Sequence, residues 1–344
     1  MTKSRDFRLL RNRLLASLQS RTSTLLGGLN PVHPTSNGRL RAVLIALVPV
    51  AALTACGGGT TAPAPPPPGP NTSLTSLVSN ETFPTISSVM AADLDNTGST
   101  SNVSANEAAL SSASTIEYDA VSDAFKIDMH NGAANFTQTF PKTGISGPDT
   151  TSSYRTYQVT RADNTIDELV ILIPGEATQK LSYVTYGVWN STAASTRNVT
   201  LGTFVFGVQT PAGDMPTTGG ATYIGLTAGT LNQSNTLFNV AGDMSMAVNF
   251  GTGTVTGSFT NMGRENLQTG DVSAWRDFTT TGSITAGTNR FAGTAASNDA
   301  ALSGTFNGAF FGPVNGGTPP EIGGGWALSG PGGETAVGGF VGKR

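Results

Sequence analysis

Residues 302–344, LSGTFNGAFFGPVNGGTPPEIGGGWALSGPGGETAVGGFVGKR, alternate short apolar runs with Gly-rich turns up to the final residue. Such a pattern predicts short strands rather than helices. A last strand left unpaired would present open hydrogen-bonding groups, so the pattern predicts closure of a barrel. Gly supplies 43 of 344 residues, about one in eight, without a G-X-Y period, against a usual background of ~7%. Charged residues make up only 12%, too few for amphipathic helices with Glu/Lys faces. Gly, Thr, Ser and scattered aromatics suit many strands joined by turns.

Charge is unevenly placed. Residues 1–55 hold eight basic groups and one acid, Asp6, so the remainder holds 11 basic and 21 acidic groups, a net of −10. An acidic body is a poor partner for nucleic acid or for an anionic lipid surface.

Arg39 and Arg41 precede an apolar run of eleven, residues 43–53 (VLIALVPVAAL). It is too short to cross a bilayer, which takes ~20 residues, and has the length of a signal-peptide core. Leu53-Thr54-Ala55-Cys56 follows and resembles a bacterial lipobox. That resemblance implies a signal peptide over 1–55 with a long basic n-region, and lipidation (diacylglycerol and palmitate-type acyl chains) at Cys56, the only cysteine. Gly57 rather than Asp after it resembles an outer-membrane address. Residues 56–70 then read as the lipidated cysteine and a linker whose Pro run is a stiff spacer.

Residues 71–209 read as an antiparallel sheet domain with a weakly patterned start. A short helix is expected at 89–95. Strands are expected at 116–120, 124–129, 153–161, 168–173, 181–189 and 199–208. His130-Asn131-Gly132 predicts a type I′ hairpin turn. Pro211 and Pro216 mark a boundary over 210–218, and 210–344 reads as the barrel. There Met244, Met246, Val248 and Phe250 alternate with Asp243, Ser245, Ala247 and Asn249, which predicts one apolar face and a lumen filled by side chains.

The barrel pieces carry a family resemblance. Met215-Pro216-Thr217-Thr218-Gly219 with Ala221-Thr222-Tyr223-Ile224-Gly225 resembles the start of the transferrin-binding protein B barrel. The stretch 242–250 with Thr254-Val255-Thr256-Gly257 resembles its next hairpin. Residues 308–313, Glu321, Gly324-Gly325-Trp326 and 339–344 resemble its closing strands. The resemblance implies an all-β protein, a handle-like antiparallel sheet followed by a closed eight-stranded barrel, displayed as an outer-membrane surface lipoprotein. It implies a non-catalytic protein that binds a protein or a haem/iron carrier and feeds a TonB-dependent transporter. A surface adhesive or structural lipoprotein is the alternative.

No residue pattern points to catalysis. His130 has no G-x-S-x-G elbow or buried carboxylate arranged around it. A haem axial ligand needs only one imidazole and an apolar slot, so haem held by His130 is the one cofactor the residues leave open. Neither a dinucleotide fingerprint nor Cys/His metal spacing is present. The excursion 261–278 (NMGRENLQTGDVSAWRDF) gathers charge into a chain poor in it. Its Arg264, Trp275 and Arg276 are residue types that anchor interfaces. They form the candidate ligand-binding set, beside the plainer reading that Trp275 packs on the barrel and the charges solvate the loop.

Overall fold

The computed structural model describes residues 70–132, 135–142, 154–176, 180–193, 197–314 and 317–344. The leader, Cys56 and the linker up to residue 69 lie outside these. The described chain forms two antiparallel sheets.

The first sheet, the handle, holds eight strands: β1 (Glu81–Leu94), β2 (Thr100–Asp119), β3 (Ala124–His130), β4 (Asn135–Phe140), β5 (Tyr154–Thr160), β6 (Ile166–Leu172), β7 (Val184–Thr192) and β8 (Asn198–Gly207). Their order is β4-β3-β2-β1-β8-β7-β6-β5. The sheet curls on itself around an aromatic core. Phe136 of β4 stacks on Trp189 of β7 at 4.2 Å, and Phe140 of β4 meets Tyr157 of β5 edge-on at 6.5 Å. Each such burial of a large side chain stabilises by about 1.5–3 kcal/mol.

The second sheet starts after a single 3-10 turn, Ala212–Asp214. Its strands are β9 (Gly220–Gln233), β10 (Thr236–Asn249), β11 (Thr254–Asn266), β12 (Val272–Ala274), β13 (Phe278–Ile284), β14 (Arg290–Ser297), β15 (Ser303–Phe311), β16 (Glu321–Ser329) and β17 (Thr335–Lys343). Strand β17 pairs with β16 on one side and β9 on the other, while β10 pairs with β11. That closes an eight-stranded barrel, with β12 a short addition on β11. The lumen is filled, as the alternation in β10 predicts. Met244, Met246 and Val248 are buried, and Ser245, Ala247 and Asn249 are exposed. Phe259 and Phe278 stack at 4.3 Å beside Trp326, whose indole N–H donates to Thr227 Oγ1 at 2.8 Å.

Three expectations are corrected. Residues 89–94 belong to β1, not to a helix. Val89 faces the handle core while Met90 and Ala92 face the barrel. A strand buried on both faces loses its alternation and reads like a helix segment. The Asn131-Gly132 turn is not a two-residue hairpin, since His130 pairs with Asn135 across four residues. Asn131 instead donates from its side chain to Ser87 O and Oγ at 3.1 and 2.9 Å, tying β3 to β1. The excursion 261–278 is no open loop: β11 runs through it to Asn266 and β12 folds back on it.

The handle lies against the outside of the barrel. Ile86, Val184 and Val205 pack on Leu226, Phe311 and Val341. Small residues on the barrel let the backbones come close. A methyl group on Gly323 would meet Val205 at 2.6 Å. The Glu321 carboxylate, fully buried, accepts the backbone N–H groups of Ser182, Tyr183 and Val184 at 2.7, 2.7 and 2.9 Å. Burial raises its pKa, and the three donors and Lys343 act against that rise.

Candidate functional site

Three turns from the two sheets meet at one end of the molecule. In the β1–β2 turn, Asp95 accepts from Thr97 N, Thr97 Oγ1 and Ser99 N at 2.7, 2.7 and 2.9 Å. The Thr97 hydroxyl and these amides hold its carboxyl below the usual range. The β9–β10 turn is Ser234-Asn235, both left-handed with φ of 51° and 57°, as a two-residue type I′ hairpin requires. In the β11–β12 turn, Asn266 Oδ1 accepts from the amides of Gln268 and Thr269 at 2.8 and 3.1 Å.

Hydrogen bonds join these turns. Thr100 N donates to Asn235 O at 2.8 Å and Thr100 Oγ1 to Asn232 Oδ1 at 2.6 Å. The Gln268 amide donates to Thr97 O at 2.5 Å. Gln268 lies directly over Gly98, whose φ of +77° and lack of a side chain both make room for it. Handle and barrel therefore present one continuous rim.

The excursion residues sit in and under this rim, spread along it rather than clustered. Arg264 faces Ser273 across the β11–β12 ladder and donates to its hydroxyl at 3.0 Å. Its guanidinium lies 4.8 Å from the Phe238 ring centroid and donates to Gln233. Trp275 points inward. Its ring stacks on Trp326 at 6.2 Å and meets Phe278 edge-on at 6.4 Å, closing the end of the filled lumen. Arg276 pairs with Asp299 and approaches Glu334 at 3.5 Å, joining the β14–β15 and β16–β17 turns.

The apolar group the rim offers to solvent is Val272, 52% exposed on β12 between exposed Asp271 and Ser273. Sequence reasoning passed over it because one Val among Gly, Asp and Ser carries no periodicity. Behind it lies Glu265, its cross-strand neighbour, only 1% exposed. Burial pushes its pKa up to about 7. One of its oxygens and the Asn239 amide, on the paired strand, have no partner among the described residues.

His130 is half-exposed, with Nε2 3.2 Å from Asp128 Oδ1 and Nδ1 3.1 Å from Asn135 Oδ1. Among the described residues no group of three or more His, Cys, Asp and Glu side chains is placed to hold a metal ion. No helix among them is long and apolar enough to cross a membrane.

Residues 215–344 match the family model described as the C-lobe and N-lobe beta barrels of Tf-binding protein B. Solved structures with a similar arrangement include transferrin-binding protein B from serogroup B Neisseria meningitidis, 13% identical, covering 77% of this chain and 66% of that one, with a TM-score of 0.38. A mutant of the Haemophilus parasuis Hp5 protein is 13% identical over 76% of each chain, TM-score 0.39. A mutant of the Actinobacillus pleuropneumoniae H49 protein is 15% identical, covering 76% of this chain and 99% of that one, TM-score 0.36. No curated protein sequence matches the chain.

Proposed function

We propose that this chain, whose residues 215–344 form a barrel of the transferrin-binding protein B family, is a non-catalytic receptor lipoprotein that binds a protein ligand at the cell surface. The family of the barrel is the observation that carries this reading. The filled lumen supports it, because a packed interior leaves the outside of the molecule as the recognition surface. In this reading Cys56 carries the lipid that anchors the body to the outer membrane. The ligand is a haem or iron carrier, and its cargo passes to a TonB-dependent transporter.

The ligand-facing surface in this reading is the three-turn rim. Val272 supplies an exposed apolar contact, Arg264 lies on β11, Arg276 in the link between β12 and β13, and Trp275 supports them from below. An acidic body favours a basic or neutral partner. Capture from the growth medium on the immobilised mature chain (56–344), followed by calorimetry on the captured protein, tests the reading. Val272→Asp is expected to weaken binding about tenfold or more, the scale of an interface anchor, with unchanged melting. Equal affinity would move the site off the rim, and capture of no protein would leave the adhesive reading standing. Labelling cells with an alkyne fatty acid tests the anchor: label is expected on wild type and lost in Cys56→Ala.

A further inference from the structure

The handle holds a half-open cavity of about 260 Å³ at the end of the curled sheet away from the rim. The loop from Leu74 to Leu77 covers it, held by Asn71, whose Oδ1 accepts the Val78 amide at 2.7 Å. Its walls are apolar and aromatic, with Phe125, Phe206 and Ile171 facing inward. The polar groups that line it include Tyr118, Asp123, Arg155 and Tyr157, beside Thr75 and Thr185.

These polar groups are unequally satisfied. Asp123 is already neutralised, by Lys142 Nζ at 2.9 Å, and accepts the Tyr118 hydroxyl at 3.1 Å. Arg155 forms no ion pair among the described residues; its Nη1 donates a long bond of 3.5 Å to the Tyr157 hydroxyl oxygen, and Asp123 attracts it from a distance. Tyr157 is fully buried, with its hydroxyl on Arg155. Burial raises the pKa of both phenols, so both stay protonated at neutral pH. A guanidinium with no ion pair among the described residues thus borders a largely aromatic chamber whose other charged wall group, Asp123, is held by Lys142.

We infer that the handle cavity is a binding site for a small monocarboxylate with an apolar or aromatic body, its carboxylate on Arg155 and Tyr157 and its body against Phe125 and Phe206. The guanidinium fork matches a carboxylate in two parallel bonds. Among the described residues Asp123 is paired with Lys142, which leaves the single charge of Arg155 on the wall and suits a monoanion better than a phosphate dianion. A cavity of roughly 150 Å³ is enough to take benzene, so this one holds a single ring with its carboxylate and is too small for a haem. The barrel lumen, being filled, offers no such place. The site is independent of the protein-binding rim, so either can fail without the other.

Benzoate and hexanoate titrated into the mature chain, followed by calorimetry, test the proposal, with benzamide as the uncharged match. Both acids are expected to bind saturably, and benzamide about tenfold more weakly or worse. Arg155→Gln is expected to lose about tenfold or more in benzoate affinity, and Ile173→Trp, which fills the mouth, to abolish binding. Lys126→Gln, outside the cavity, is expected to bind as wild type does. Absence of saturable binding for both acids overturns the proposal, as does benzamide binding as tightly as benzoate. Should Arg155→Gln not fold, the benzoate-to-benzamide ratio on wild type decides alone.

Discussion

Glu265 shows what a single buried acid does to this molecule. Its pKa is raised to about 7 by burial, so the folded state holds its proton over a pH range where the unfolded chain releases it. The stability tied to that proton is present below the unfolded value near 4.5 and is lost as pH rises through about 7. Glu107, pushed up to about 7 by burial against the weaker pull of the Thr305 hydroxyl, acts in the same direction. Melting temperatures followed from pH 4 to 8 should therefore show Glu265→Gln gaining on wild type as pH rises and matching it near pH 4. A constant offset would mean the carboxylate is solvated. Glu321, whose pKa burial also raises, differs in its bonding, because its oxygens satisfy three backbone donors. Glutamine leaves one of those regions facing an NH₂ group, and Glu321→Gln should destabilise by about 3 kcal/mol. Trp275→Ala opens the end of the core and should cost about 2–3 kcal/mol, read as a lowered denaturation midpoint. Unchanged stability would show that the ring contributes little to packing.

At the scale of elements, closure rests on β17, which contributes a complete ladder to both β16 and β9. Deleting residues 338–344 leaves two open edges and should abolish cooperative melting of the barrel. Gly338→Ala tests the same strand more gently. The new methyl would meet Trp326 at 2.4 Å and the Ala228 carbonyl oxygen at 2.6 Å, and overpacking of this kind costs about 1–3 kcal/mol. Strands with one exposed face, such as β10, were legible in the sequence from their alternation. So was the closing pattern of β15 to β17, whose glycines and aromatics repeat. Strand β1 was not, because burial between two sheets erases its period. Nor was the fold-back of β12, whose three exposed residues, Val272 to Ala274, carry no hydrophobic signal. Trp275 and Arg276 could be singled out by residue type. Where they point could not, since that depends on Trp326, Asp299 and Glu334, which lie far along the chain.

Across the whole molecule, handle and barrel are joined by an apolar face, by the Glu321 clasp at one end and by the Thr100 and Gln268 hydrogen bonds at the other. A rim built from both sheets keeps its geometry only while that joint holds, so a ligand reading the rim reads the two sheets as one surface. The small-molecule cavity sits at the far end of the handle, which lets the two sites be loaded separately. Hydrogen exchange of the mature chain, alone and saturated with the protein it captures, tests the central claim most directly. The account predicts added protection in the turns at 95–99, 234–235 and 267–274 together. Protection confined to other surfaces, or a captured protein that leaves these three turns exchanging as before, would contradict it.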